Sequence, residues 1–174
     1  MTFAFLETSV PIAFAHRGGT AGGENALAAF DAARQIGYRY IEIDVRTTRD
    51  GVPVVFHDAD LQRMTGSTYE ISDLTAIEVA GLELHGGDRV PTLAEALSAF
   101  PDIRFNIDLK DTAAVEPVAE LLHRTGALPR VCVTSFSESR IDAARRLLGP
   151  EVCTGLGIAG VLRFVVTSLW PGYL

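Results

Sequence analysis

Residues 11–45 read PIAFAHRGGTAGGENALAAFDAARQIGYRYIEIDV, and their patterning sets the fold class. The apolar run PIAFAH has the length and composition of a buried strand and ends in His16, Arg17 and glycines. In ENALAAFDAARQIG, Leu27, Phe30, Ala33 and Ile36 recur at helical spacing, and Gly37 closes the segment. YIEIDV then alternates apolar and acidic residues with the period of a strand.

The same alternation of strand and helix continues along the chain. VPVVFH is joined to YIEIDV by RTTRDG, in which Asp50-Gly51 is a strong turn signal. A polar stretch with two short helices, SDLTAIEVAGL and PTLAEALSAF, leads to the strand RFNIDLK. VEPVAELLHRTG reads as helix, RVCVTSF as strand, SESRIDAARRLLG as helix with Ser137 at its N-cap, and VCTGLG as strand. Six strands with helices between them predict an α/β fold whose parallel sheet is buried on both faces, as a doubly wound sheet or a barrel. The 174 residues form one domain, 1–174, without linker or repeat. A complete (β/α)8 barrel takes about 250 residues, so the expectation is an incomplete TIM-type barrel of about six βα units, two short of closure.

Composition narrows the function. At 48% hydrophobic and 21% charged the chain is that of an ordinary globular protein. A formal net charge of −7 argues against nucleic acid as a partner, and an anionic substrate requires local cations or a metal to draw it in. The N-terminal MTFAFLETSVPIAF has no Lys or Arg ahead of its apolar residues, unlike a secretory signal, and a cytoplasmic location is expected. Cys132 and Cys153 sit in apolar runs and read as small buried thiols. IAGVLRFVVTSLW is apolar but interrupted by Arg163 and shorter than the roughly 20 residues that span a bilayer. It reads as a core helix or as a surface for a partner, and no transmembrane segment is expected.

The candidate chemistry lies on strand faces. Glu42 and Asp44 are two apart and project to one side of YIEIDV, where like charges on a buried strand are costly without a compensating cation. In RFNIDLK, Asn106, Asp108 and Lys110 share a face. A solvated edge strand, and a structural Asp108–Lys110 ion pair, are the plainer readings. Together the three carboxylates make an oxygen-rich site suited to a hard divalent ion, Ca2+ or Mg2+. His57 ends VPVVFH. A two-residue hairpin at Asp50-Gly51 would pair 49 with 52 and set His57 opposite Asp44; a parallel arrangement would only bring both to one rim. His16 and His57 both fall at strand ends, where α/β folds build their sites. Arg17 and Lys110 supply positive charge for phosphate oxygens. Gly18, Gly19, Gly22 and Gly23 allow close backbone approach to a ligand or simply loosen a loop. Glu24 and Asn25 stand where helix-capping residues are common.

These motifs, AHRGG…ENALAAFDAARQIGYRYIEIDVRTTRDGVPVVFHDADLQRMTG followed by VPTLAEAL and FNIDLK, resemble the glycerophosphodiester phosphodiesterase family, whose signature is His-Arg, then Glu-x-Asp, then His-Asp. The match runs from about Ile12 through VCTGLG and is densest in its first half. The resemblance implies a TIM barrel that hydrolyses small glycerophosphodiesters to glycerol 3-phosphate and an alcohol with a divalent metal. It implies His16 and His57 as the acid/base pair, and Glu42, Asp44 and Asp108 as metal ligands. Asp108 stands where the family usually has Glu. Arg17 and Lys110 match the phosphate-contacting pair, and Gly23 replaces the Pro of a family Pro-Glu-Asn turn. The family pattern continues through two further strands after SLWPGYL, so the first and sixth strands are expected to present open edges suited to self-association. An impaired scaffold of the same fold, and a phosphodiesterase of another phospholipid-derived diester, are the competing readings.

Overall fold

The computed structural model describes residues 2–19, 23–84 and 87–169. Strands β1 (Phe14–His16), β2 (Tyr40–Thr47), β3 (Pro53–Val55), β4 (Arg104–Leu109), β5 (Val131–Thr134) and β6 (Cys153–Thr154) form one sheet. Its order is β1-β2-β4-β5-β6, every neighbouring pair parallel. Among the described residues the sheet does not close, and β1 and β6 are its edges. The incomplete α/β barrel read from the sequence is therefore the observed architecture. One of the six strands differs in role: β3 runs antiparallel to β2 and stands outside the parallel series, so the six expected βα units become five parallel strands and one hairpin arm.

Helices α1 (Leu27–Gln35), α2 (Gln62–Thr65), α3 (Ala76–Ala80), α4 (Leu93–Ala99), α5 (Val115–Thr125) and α6 (Glu138–Leu148) lie between the strands, and α7 (Ile158–Leu169) follows β6. Capping boxes start α3 and α4, where Thr75 and Thr92 accept from the backbone amides of Glu78 and Glu95. Ser137 does hold the N-cap position of α6, but its hydroxyl makes no capping bond and pairs with Ser139 instead. The strand residues that face the helices, among them Ile41, Ile43, Val45, Phe105, Ile107, Val131 and Val133, are fully buried with Phe30, Leu93 and Leu122 in the main core. Period-two alternation then turns Glu42, Asp44, Asn106 and Asp108 to the barrel interior.

The interior is stoppered at the N-terminal ends of the strands. A 3-10 turn at Ala4–Leu6 drops Phe5 beneath the sheet, 5.3 Å edge-on from the Tyr40 ring, and the Tyr40 hydroxyl donates to the Phe5 carbonyl at 2.8 Å. Phe5, Tyr40, Cys132 and Cys153 form one small apolar cluster. Both cysteines are buried and free, as expected.

Two expectations need correction. The Asp50-Gly51 hairpin is antiparallel but one residue out of the expected register, because Thr48 pairs with Val52 around a three-residue loop. The Gly51 amide returns to the Thr48 carbonyl at 2.9 Å, and Gly51 takes a positive φ of 81°, the geometry of a type I turn followed by a bulge. Phe56, not His57, consequently stands opposite Asp44, donating its amide to the Asp44 carbonyl at 2.9 Å. The second correction concerns α7, which buries none of its residues: Ile158, Leu162, Phe164 and Leu169 are each more than 60% exposed. It is not a core helix. No helix of the described residues is long and apolar enough to cross a membrane. Gly22 and the end of SLWPGYL beyond Leu169 lie outside the described residues.

Candidate active site

At the C-terminal ends of β1, β2 and β4 the interior opens into a cleft of about 390 Å³. His16, Arg17, Glu42, Asp44, His57, Asp108 and Lys110, the seven residues singled out in the sequence, all line it. Parallel register explains part of this convergence: His16 pairs with Glu42, and Asp44 with Asp108, so three adjacent strands deliver four of the seven side by side. His57 arrives differently. β3 ends at Val55, two residues earlier, and strand alternation no longer governs where His57 points.

Asp44 is the electrostatic centre, only 1% exposed. Lys110 Nζ lies 2.9 Å from its Oδ1, and Asn25 Nδ2 donates to its Oδ2 at 2.9 Å. Arg17 Nε approaches the same Oδ2 at 3.1 Å, close enough for an ion pair, yet it has no aligned hydrogen-bond acceptor. Lys110 also contacts Asp108 Oδ2 at 2.5 Å. One oxygen atom from each of Glu42, Asp44 and Asp108 falls within 4.8 Å of the others. Three carboxylates thus face two cations. Burial, followed by the repulsion of Asp44, pushes the Glu42 carboxyl up to about 7.

Orphaned atoms identify what the cluster lacks. Among the described residues, Glu42 Oε2 and Asp108 Oδ1 are buried without any hydrogen-bond donor, an arrangement that costs roughly 1–3 kcal/mol per atom unless something positive occupies the space between them. An all-oxygen donor set with surplus negative charge suits a hard divalent cation and offers nothing to a thiophilic one. The residues therefore fit the metal that the sequence led one to expect.

The loop after β1 departs from its expected role. Glu24 and Asn25 are not caps, since the N-cap of α1 is Ala26, which makes no side-chain capping bond. Asn25 is 2% exposed and grips Asp44 twice, its Nδ2 donating to Oδ2 and its Oδ1 accepting from the Asp44 amide at 3.3 Å. Glu24 Oε1 accepts from Arg17 Nη1 at 3.0 Å. Arg17 and Asn25 both hold positive φ, 53° and 61°, a conformation rare outside glycine and concentrated at functional sites. Gly18 has a different purpose from ligand approach: a Cβ there would sit 2.8 Å from Ala29 Cβ and from Phe30 Cδ1. Its bare backbone lets the loop lie flat on α1.

His57 is anchored from outside the barrel. Its Nδ1 is 2.6 Å from Asp58 Oδ1, and Asp58 Oδ2 accepts from Arg63 Nε at 2.6 Å. Burial raises the Asp58 carboxyl, but its bonds to Arg63 and His57 outweigh this and hold it below the ordinary range. An ionised carboxylate only accepts, so Nδ1 of a neutral His57 carries the proton and Nε2 keeps its lone pair. His16 is freer, 72% exposed at its side chain and 3.8 Å from Glu42 Oε2. Phe136, 70% exposed, and Leu156 add an apolar lip to the cleft, with Lys110 Nζ 5.6 Å from the Phe136 ring centre. Arg63 and Phe136 were not singled out in the sequence, where an Arg in a polar loop and an aromatic after a strand carry no distinguishing pattern.

Comparison with known proteins agrees with this geometry. The sequence model of the glycerophosphoryl diester phosphodiesterase family matches residues 16–151. A Mycobacterium tuberculosis protein named "Probable glycerophosphodiester phosphodiesterase 2" is 40% identical over 166 residues, covering 94% of this chain and 63% of that protein. Human lysophospholipase D GDPD1 is 37% identical over 125 residues, 63% of this chain and 40% of that protein. The chain thus spans less than two thirds of the length of either. An Oleispira antarctica phosphodiesterase, solved in complex with the product sn-glycerol-3-phosphate, superposes with a TM-score of 0.76 at 26% identity, covering 91% of this chain and 72% of that one. With an open parallel barrel, a shared order of motifs and a match over most of its length, the chain belongs to the glycerophosphoryl diester phosphodiesterase family.

Proposed function

We propose that the protein hydrolyses small glycerophosphodiesters to glycerol 3-phosphate and an alcohol, using Ca2+ or Mg2+ held by Glu42, Asp44 and Asp108. The observation that carries this reading is the convergence of two histidines, two cations and three carboxylates on one cleft at the C-terminal ends of parallel strands. When bound, the metal supplies Lewis acidity toward a phosphoryl oxygen. Arg17 and Lys110 bind the phosphate and stabilise the charge that builds on its oxygens in the transition state. One histidine takes the proton of the attacking hydroxyl and the other protonates the departing alkoxide. Each such transfer contributes about 10²- to 10⁴-fold. The site lies in the cytoplasm on this reading, which the two free, facing cysteines support.

The experiment is turnover of glycerophosphocholine, followed as glycerol 3-phosphate, with and without EDTA. Activity abolished by EDTA and restored by Ca2+ or Mg2+ supports the proposal; no turnover under any metal sinks it and leaves the scaffold reading. His16→Ala and His57→Ala should each lower kcat by at least about 10²-fold, with metal affinity by calorimetry unchanged.

A second substrate class, lysophospholipids, is favoured by the exposed Phe136 and Leu156 on the cleft lip and by the name of the human relative. Faster choline release from lysophosphatidylcholine than from glycerophosphocholine would select it. Self-association belongs with the proposal, because the unpaired edges of β1 and β6 present open ladders flanked by exposed apolar residues such as Phe14.

A further inference from the structure

The carboxylates and cations around the cleft form a continuous chain that reaches beyond it. Asp44 pairs with Arg17, Arg17 Nη1 with Glu24 Oε1, Glu24 Oε1 with Arg63 Nη2 at 2.5 Å, Arg63 Nε with Asp58 Oδ2, and Asp58 Oδ1 with His57 Nδ1. Arg63 stands in the middle, on α2, outside the lining of the cleft. One planar guanidinium serves two carboxylates: its Nη2 edge takes Glu24 and its Nε edge takes Asp58. That division uses the rigid spread of donors that distinguishes Arg from Lys.

We propose that Arg63 is a positioning residue that locks His57 and Arg17 to each other, fixing the imidazole tautomer through Asp58 and the phosphate-facing guanidinium through Glu24. The inference rests on the roles given to His57 and Arg17 above but not on the identity of the substrate. Individually, half-exposed ion pairs of this kind add little stability. Arg63 is 48% exposed at its side chain, so its value is geometric. Asp58 can hold the Nδ1 proton only while its carboxylate is oriented, and Arg63 occupies the oxygen that would otherwise swing to solvent. Without that acceptor a neutral imidazole in water favours the proton on Nε2, which removes the lone pair a base needs. Glu24 Oε1 is shared between Arg63 Nη2 and Arg17 Nη1, so Arg63 fixes the oxygen on which Arg17 rests, and its hydrogen bond is the chief influence holding the Glu24 carboxyl below its ordinary range.

The test reads the tautomer directly. Protein labelled with 15N-histidine, metal-free and at a pH of about 8, well above the ordinary imidazole range, gives the protonation of each ring nitrogen, with His57 assigned by its loss in His57→Gln. Wild-type protein is expected to show His57 with its proton on Nδ1. Arg63→Gln should move it toward Nε2–H and lower kcat on glycerophosphocholine about tenfold or more, while the spectrum remains that of a folded protein. Arg63→Lys, which retains charge but not the fork, should recover only part of that loss. An unchanged Nδ1–H signal in Arg63→Gln overturns the proposal, and so does full rescue of kcat by Lys. If Arg63→Gln does not fold, Arg63→Lys is read in the same way: a mixed tautomer supports the lock and an unchanged one refutes it. Wild-type protein that turns over no glycerophosphodiester, yet loses the Nδ1 proton on removal of Arg63, would refute the proposed function and leave the lock standing.

Discussion

Glu42 shows how a single residue carries the conflict in this site. It projects from the centre of a strand into a buried space already holding Asp44 and Asp108, and its carboxyl is raised from the ordinary 4.5 to about 7 by burial first and by Asp44 second. The folded, metal-free protein therefore holds a proton across that interval which the unfolded chain has already released. Linkage then requires unfolding free energy to fall as pH rises through the window, by on the order of 3 kcal/mol. Chemical denaturation with EDTA present should show this decline between about pH 4.5 and 7, and Glu42→Gln should flatten it. A wild-type curve that rises over that range would contradict the assignment. Asn25 makes a complementary point, because an apparent cap is a buried clamp on Asp44, held at positive φ by a loop whose conformation only the surrounding contacts impose.

Among the elements, the loop that follows β1 packs against α1 at Gly18. With φ of +85° and two side-chain atoms 2.8 Å from where a Cβ would stand, Gly18→Ala is expected to cost roughly 2–4 kcal/mol, combining backbone strain with overpacking. The change should appear as a lowered denaturation midpoint, and a variant as stable as wild type would show that the loop can lift from α1. The β5–β6 pairing makes a second prediction, since register sets Cys132 directly beside Cys153 in the buried N-terminal half of the barrel. Burial pushes both thiols up, so a thiol reagent at neutral pH should count none in the native protein and two after unfolding. Two rapidly reacting thiols in the native state would mean that β6 frays from the edge.

At the scale of the whole molecule, the open sheet dominates. β1 and β6 expose unpaired backbone, and α7, next to β6 in sequence, carries Leu162, Phe164 and Leu169 to solvent. Unpaired edges and apolar helices of this kind associate unless covered. Sedimentation velocity should show mass increasing with concentration, with charged substitutions on α7 such as Phe164→Glu shifting the distribution toward monomer. A single monomeric species across the accessible range would refute self-association.

Local sequence was sufficient for whatever depends on period and order. Alternation put Glu42 and Asp44 on one face of YIEIDV and Asp108 and Lys110 on one face of RFNIDLK, helical spacing located α1, α5 and α6, and the succession of motifs pointed to the parallel barrel and its family. Those features follow from backbone geometry that neighbours a few residues apart already determine. Tertiary structure alone decided the remainder. The hairpin register depended on whether Gly51 would take left-handed φ and add a residue to the turn, and His57 reached the cleft only because β3 ended before it. Whether α7 would be covered, and that Glu24 and Arg63, 39 residues apart, would share a hydrogen bond, are matters of long-range contact. Such contacts are selected by the folded energy of the whole chain, and no local pattern encodes them.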